Sequence, residues 1–319
     1  MSHLVRKRKI DFLNGWLLFA LLGFIICLSA CSKPEKPATA EAKTFASPDE
    51  AGKALMAAAQ SGSEDTILAI FGPESKNVID SGDPTQNKEN VAAFTAAYNV
   101  MNRWRKLDDN TEILVLGVDN FPFPVPLKKN GAGRWYFDTA AGKGEILARR
   151  IGRNELAVMK ICGALTDAQA EYHSQPHDGA KQYAQKFISD EGKQNGLYWQ
   201  AAAGQPQSPL GPLAAFATAE GYTAQPNAHQ PFHGYFFRLL TKQGAQAKGG
   251  AKDYVVNGKM TGGFGFVAYP AEHGNSGVMT FVINQDGVLY QKDLGNTTTE
   301  TATGMNEFNP DASWSPVAE

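Results

Sequence analysis

The chain has 319 residues, which is long enough to bury a sizeable hydrophobic core in one large or two modest domains. Its 30 lysine and arginine residues nearly balance 32 aspartate and glutamate residues, so that the formal net charge is -2. Because there is no basic excess, the composition argues against nucleic-acid binding and against attraction to anionic lipid by charge alone.

The amino terminus has the pattern of a bacterial export signal. Basic residues at positions 6–9 precede the apolar run from Trp16 to Leu28, which is shorter than the roughly 20 residues that a membrane-spanning helix needs. The run ends in Leu28-Ser29-Ala30-Cys31, which resembles the lipobox of bacterial lipoproteins. We therefore expect a lipoprotein signal peptide over residues 1–30, with an ordinary secretory signal as the alternative.

The lipobox resemblance implies that Cys31 becomes the first residue of the mature chain and carries lipid on its sulfur. Each buried methylene contributes about 0.8 kcal/mol, so two or more acyl chains hold a protein stably on a membrane. Ser32 stands where the inner-membrane retention signal of enteric bacteria has aspartate. We expect a location in the bacterial cell envelope, anchored in the outer membrane and facing the periplasm.

Residues 31–44 predict a disordered tether, because they are rich in Lys, Glu, Pro and Ala and lack apolar anchors. Removal of Cys27 with the leader and lipidation of Cys31 would leave Cys162 without a disulfide partner. Cys162 lies in an apolar helical pattern, which favours a buried structural thiol over a nucleophile.

Residues 45–140 are expected to form an amino-terminal α+β domain that opens with helices. Ser47-Pro48-Asp49-Glu50 combines a cap, a proline at the first helical position and a capping-box glutamate, and Gly62 is a stop signal. Ser63 is expected to cap a second helix that ends at Phe71. Apolar residues at spacings of three and four predict a third helix around 91–101.

A small sheet is expected to follow these helices. The runs at 111–118 and 134–139 predict strands. Between them the sequence FPFPVP, at 121–126, contains three prolines that forbid a central strand, so this segment is expected at a sheet edge or in a polyproline-like conformation.

Residues 141–319 are expected to form a carboxyl-terminal domain in which one long helix packs on an antiparallel meander. Apolar residues recur at helical spacing across 145–172, and further helices are predicted at 180–188 and 213–219. From His233 the apolar period changes to two, and turn residues separate the runs, which predicts antiparallel strands. The predicted fold class is therefore α+β.

The mature chain contains the segments SGDP (81–84), GRWYFDTAAGKGEILARRIGRNE (133–155), GLYW (196–199), SPLGPL (208–213), HGYFFRLL (233–240) and GVMTFVINQDGVLYQKDLG (277–295). In these segments it resembles an uncharacterised bacterial lipoprotein family, domain of unknown function 2950. The resemblance implies no activity and no catalytic residues. Two shorter resemblances concern the fold alone. Residues 46–72 look like the opening of NTF2-like domains, and residues 165–184 with the late strands look like the globular heads of type IV pilins.

Candidate binding chemistry lies near the start of the long helix. Arg149, Arg150 and Arg153 are predicted to bind an anionic group such as a phosphate or carboxylate, and Asp138 belongs to the same polar segment. The alternative interpretation of these residues is an interdomain network of salt bridges.

The histidines give weaker signals. His173 and His177 have the four-residue spacing of some zinc sites, but Pro176 lies between them and no matching acidic partner is evident. His233 opens a predicted strand, where a hydrogen-bonded structural imidazole is expected. The sequence predicts no catalytic residue, no metal ion and no cofactor.

Two functions remain open at this point. The first is a lipid-anchored binding or assembly factor without enzymatic activity, held to the membrane through Cys31 and offering its surface to an envelope protein partner. The alternative is an envelope hydrolase with a site near His233 or near Asp138 and the three arginines.

Overall fold

The computed structural model describes residues 42–72, 75–201, 204–222 and 230–318. The predicted signal peptide and most of the predicted tether, including Cys31, lie outside these residues. None of the helices within the described ranges is long and apolar enough to cross a membrane.

The described residues begin with four helices, and the first two start at the predicted capping residues. Ser47 accepts a hydrogen bond from the Glu50 amide at 3.2 Å, and the Glu50 carboxylate accepts one from the Ala46 amide at 2.7 Å. Gly62 ends the first helix in the left-handed conformation, with φ of 64°. The helices are α1 (Pro48–Ser61), α2 (Glu64–Phe71), α3 (Lys76–Ile79) and α4 (Pro84–Val100).

An antiparallel sheet packs against these helices. Its strands are β1 (Asn102–Lys106), β2 (Thr111–Leu116), β3 (Phe121–Pro122), β4 (Leu127–Lys129) and β5 (Trp135–Phe137). Their order is β1-β2-β4-β5, and the proline-rich β3 pairs only with β2, as expected for an edge segment. The first hydrophobic core lies between helices and sheet and includes Phe45, Leu55, Ile70, Leu114, Leu127 and Phe137.

Helix α5 (Thr139–Ser174) connects the two halves of the fold. It has 36 residues, a length of about 54 Å. It begins earlier than predicted, because the Asp138 side chain caps it by accepting a hydrogen bond from the Ala141 amide at 3.0 Å. Near the start of α5, Ile146 packs against the first core. Buried residues on the later turns of the helix belong to the second hydrophobic core: Val158, Ile161, Cys162, Leu165, Ala168 and Tyr172.

The predicted helix at 180–188 is wrong. Asp178 and Gly179 have φ of 49° and 78°, and this turn joins β6 (Pro176–His177) to β7 (Ala180–Lys181). The buried Gln169 side chain then bonds both the amide and the carbonyl of Ala184, at 2.8 and 2.9 Å. These bonds occupy the amide and the carbonyl that Ala184 would need for the hydrogen bonds of a helix. The predicted short helix is present as α6 (Gly211–Ala219).

The carboxyl-terminal half contains the predicted antiparallel strands. They are β8 (Tyr235–Leu240), β9 (Lys242–Gln243), β10 (Lys252–Asp253), β11 (Val255–Val256), β12 (Lys259–Met260), β13 (Gly265–Pro270), β14 (Met279–Asn284) and β15 (Tyr290–Asp293). Helix α7 (Thr298–Gly304) follows, and then come β16 (Glu307–Phe308) and β17 (Ser315–Pro316). The main sheet has the order β17-β15-β14-β13-β8.

The second hydrophobic core lies between this sheet and α5. All residues of β13 are buried, and α5 contacts both β13 and β14, which confirms the predicted packing of a long helix on an antiparallel meander. Helix α7, which was not predicted, also packs on β13. Arg238 secures α7 by donating to the carbonyl of Ala302 at 2.6 Å. The α+β class is confirmed.

Candidate functional site

A buried carboxylate, Asp83, joins the start of α4 to the carboxyl-terminal half. One oxygen accepts hydrogen bonds from the Thr85 and Gln86 amides, both at 3.1 Å, and so caps the helix. The other oxygen accepts from the Tyr222 hydroxyl at 2.7 Å and from the Gly234 amide at 3.3 Å. Asp83 thereby fixes the position of the segment that carries His233.

His233 has an unusual backbone at this junction. Its φ is 50°, a conformation that costs a non-glycine residue about 1–2 kcal/mol. Gly234 follows with φ of 72°, and a Cβ there would lie 2.5 Å from Nδ2 in the side chain of Asn154. The chain therefore turns sharply and passes close to α5, which directs the His233 side chain toward Glu220.

The imidazole of His233 lies among acidic groups. Its Nε2 is 3.1 Å from Oε2 of Glu220, although the two atoms lack the alignment of a hydrogen bond. Glu89 on α4 interacts electrostatically with this pair. Burial and the charge of Glu220 raise the pKa of Glu89, whereas His233 and Arg153 lower it. His233, Glu220 and Glu89 therefore form one group of titratable side chains.

Arg150 occupies a different environment. It is buried, and its guanidinium donates to the carbonyls of Val78, Ile79 and Asp80 and to the side chain of Asn275. Burial lowers the pKa of this guanidinium. An incoming anion would have to replace these acceptors.

The other two predicted arginines have separate partners. Arg149 bonds Glu145 at 2.6 Å and the carbonyl of Pro122 at 2.8 Å, and its guanidinium lies 4.4 Å from the centre of the Phe121 ring. Arg153 donates to Asn90 at 3.0 Å. Of the three, Arg153 is the one that belongs to the group around His233.

Asp138 stands apart from the arginines. It caps α5 and pairs with Lys128 at 2.8 Å. Thr139 and Arg150 are 11 positions apart on the helix (150 minus 139), which is about 17 Å along its axis. The sequence proximity that suggested one polar cluster therefore does not become a single site.

The histidines at 173 and 177 stack on different aromatic rings. His173 packs on Tyr183 with centroids 4.3 Å apart, and His177 packs on Tyr172 at 3.6 Å. No group of three or more metal-ligating side chains occurs within the described ranges. Cys162 is buried, and burial raises its pKa to about 12, as suits a structural thiol.

A cleft of about 510 Å³ lies on another face, around the segment after β7. Its lining includes Asp190, Gln194, Tyr198, Trp199, Gln200 and Gln205. A volume in this range is typical of small-molecule sites. Sequence reasoning missed the cleft, because its walls come from irregular chain that carries no helical or strand periodicity.

These features define a mixed α+β protein with two hydrophobic cores, a polar junction between α4, α5 and the segment around His233, and a separate surface cleft. A family model described as protein of unknown function (DUF2950) matches residues 42–317, and the chain belongs to this family. No curated protein and no solved structure matches the chain. The NTF2-like and pilin-like resemblances therefore stay predictions.

Proposed function

We propose that this chain is a lipid-anchored protein of the bacterial envelope whose folded body binds an envelope partner or ligand. The anchor would be Cys31, following the export pattern of residues 6–30. The body would face the periplasm from the outer membrane, as Ser32 suggests.

The observation that carries this proposal is the spacing between Cys31 and the folded body. Phe45 is fully buried and exchanges two backbone hydrogen bonds with Trp135, at 2.8 and 2.9 Å, so the body is already anchored in its own core there. Cys31 and Ala42 are 11 positions apart (42 minus 31). A chain of that length reaches at most about 40 Å, which lets a lipid-bound body work close to the membrane.

A binding role is supported by the cleft beside Trp199. It is concave, and it combines two aromatic rings with seven polar or charged side chains, which offer a ligand both ring surface and hydrogen-bonding groups. The loop that forms its wall is ordered by internal hydrogen bonds. Ligand binding therefore costs less conformational entropy than it would with an unordered loop.

The anchor is tested by replacing Cys31. Cys31→Ala removes the sulfur that would carry lipid, so the protein should move from the membrane fraction to the soluble fraction with its fold unchanged. Cell fractionation with immunoblotting measures the first effect and circular dichroism the second. Intact-mass spectrometry of the wild-type protein should show a diacylglycerol adduct on residue 31.

The matched control is Cys27→Ala, which removes a cysteine from the apolar run and should leave membrane retention unchanged. Retention of Cys31→Ala at the wild-type level, or an unmodified thiol at residue 31, would overturn the proposed anchor.

Hydrolysis near His233 remains the alternative prediction. His233 and Glu220 have the composition of an acid-base pair that activates water. The nearby Tyr222 hydroxyl is a poor nucleophile, because burial and its hydrogen bond to Asp83 raise its pKa. The cleft beside Trp199 therefore supports binding more directly than this group supports catalysis.

A further inference from the structure

The cleft beside Trp199 has a specific combination of side chains. Tyr198 and Trp199 contribute aromatic surface, and both also pack against the second core, which restricts their movement. Around them are three glutamines whose amides can each donate and accept hydrogen bonds: Gln194, Gln200 and Gln205. Aromatic faces bordered by amides suit a ligand that has both apolar C–H surfaces and hydroxyl groups.

The wall of the cleft is braced from within. Asp190 accepts hydrogen bonds from the side chains of Lys186 and Asn195, both at 2.8 Å, and its amide donates to Asn195 at 3.0 Å. The Gly196 amide donates to the Ser189 hydroxyl at 3.0 Å. A Cβ at Gly196 would lie 2.7 Å from the backbone of Ile188, so only glycine permits this close approach of the two chain segments.

The cleft is lined by the acids Asp190 and Glu191 and by Lys193, and Lys186 pairs with Asp190 from beside it, so charges of the two signs balance. Hydrogen bonds from Lys186 and Asn195 lower the pKa of Asp190, so its carboxylate stays ionised at neutral pH. Lys186 lies 2.8 Å and Lys193 3.8 Å from this carboxylate. A ligand with a strong charge of either sign would gain little in such a setting, whereas a neutral polyhydroxylated ligand would meet acceptors and donors together.

Trp199 adds a polar group with no partner. Its indole Nε1 is buried and has no hydrogen-bond acceptor among the residues that the structure describes. An unsatisfied buried donor costs about 1–3 kcal/mol, and a ligand oxygen would recover part of that cost only if the ring turned, because this nitrogen is closed to solvent.

We propose that the cleft lined by Tyr198, Trp199 and the three glutamines binds a neutral oligosaccharide, with the sugar faces packed on the aromatic rings and the hydroxyl groups bonded to the amides. This inference rests on the proposed binding function and names the ligand class of that site. An envelope location would place such a site among glycans.

The test uses the full-length protein in detergent and isothermal titration calorimetry with chitohexaose, a neutral hexasaccharide, and with cellohexaose as a second probe. Saturable binding of at least one of the two sugars is expected. Trp199→Ala should weaken binding by about tenfold or more, through loss of the ring surface. Trp199→Phe keeps a ring but removes the N–H, so it should bind more tightly than Trp199→Ala.

A second variant keeps the proposal falsifiable if Trp199→Ala fails to fold. Gln200 and Gln205 are both exposed, so the double variant Gln200→Ala/Gln205→Ala should fold normally and lose about tenfold in affinity. The matched control is Gln246→Ala, an exposed glutamine outside the cleft, which should bind as the wild type does.

The proposal is overturned if neither sugar binds up to its solubility limit, or if the double glutamine variant and the Gln246→Ala control bind equally well. These measurements do not depend on lipidation. Loss of sugar binding with an intact anchor would therefore reject the ligand class alone, and sugar binding by a protein unmodified at Cys31 would reject the anchor alone.

Discussion

The surroundings of Glu89 disfavour the ionised form of its side chain. It is partly buried on α4, where burial and the neighbouring Glu220 raise its pKa above the ordinary value of 4.5. The opposing effects of His233 and Arg153 do not cancel this shift. Ionised Glu89 therefore reduces the stability of the folded state.

The consequence is a defined dependence of stability on pH. Between 4.5 and the raised value, the folded protein binds more protons at Glu89 than the unfolded chain does. The contribution of Glu89 is therefore most favourable below 4.5 and is lost as pH rises through the folded-state pKa. Glu89→Gln removes this loss, so the free energy of unfolding of the variant minus that of the wild type should increase with pH across this window, as measured by urea denaturation.

Glu220→Gln provides the comparison for this effect. With the Glu220 charge removed, one cause of the raised pKa of Glu89 is gone, and the effect of Glu89→Gln should vary less with pH. A difference between variant and wild type that instead decreases as pH rises would show that the pKa of Glu89 is lowered.

Among the elements, α5 contains glycines in two kinds of surroundings. Gly163 is exposed, and a Cβ there would meet no atom within 4 Å. Gly142 is buried where the helix passes close to the backbone of the preceding loop, and a Cβ would lie 2.8 Å from the carbonyl oxygen of Pro124 and 2.9 Å from Cα of Val125. The same substitution should therefore have opposite effects at the two positions.

Gly163→Ala should stabilise the protein by about 0.5–1 kcal/mol, because alanine loses less backbone entropy in a helix than glycine does. Gly142→Ala should destabilise it by about 1–3 kcal/mol, since the backbone of residues 124 and 125 would have to move. Urea denaturation of the two variants measures both values. Equal effects at the two positions would contradict the close packing of α5 on this loop.

The elements that could be predicted from sequence are those with local causes. The caps at Ser47 and Ser63 act within one helical turn, and the starts of α1 and α2 were predicted correctly. The helix expected at 180–188 failed because the side chain of Gln169, 15 positions earlier, bonds the amide and the carbonyl of Ala184 that a helix would use. Strand β1 was missed, since its exposed polar residues show no apolar alternation.

The candidate site was predicted less well for the same reason. Sequence proximity suggested grouping Asp138 with Arg149, Arg150 and Arg153, but a long helix spreads neighbouring residues along its axis and around its faces. The residues that do meet His233 come from elsewhere: Asp83 contacts Gly234 across 151 positions of sequence. The SGDP and HGYF segments were both singled out in the sequence, but nothing in the sequence showed that they are in contact.

At the scale of the whole molecule, the described residues belong to one compact unit that contains two cores. Helix α5 contributes to both cores. Buried polar bonds add to this connection: Asn154 accepts from the Gln86 side chain at 2.7 Å and donates to the carbonyl of Ser276 at 2.8 Å. The predicted division into domains at 45–140 and 141–319 would cut through this helix near its start.

We expect the two cores to unfold together. One variant that keeps Trp104 and Trp135 reports on the first core, and another that keeps Trp199 and Trp314 reports on the second, with phenylalanine at the other pair and at position 16 in each case. Their urea unfolding curves, followed by fluorescence, should have the same midpoint, as a two-state transition requires.

Removing the connection should separate these curves. Asn154→Ala leaves the side-chain amide of Gln86 and the carbonyl of Ser276 buried without their partner, at a cost of about 2–6 kcal/mol for the two groups. The substitution weakens the connection between the two cores and changes neither core itself. One core should then unfold at a lower urea concentration than the other. Distinct midpoints without the Asn154 substitution would instead show that residues 45–140 and 141–319 are independent domains, and that α5 and its buried bonds are too weak to make the molecule one cooperative unit.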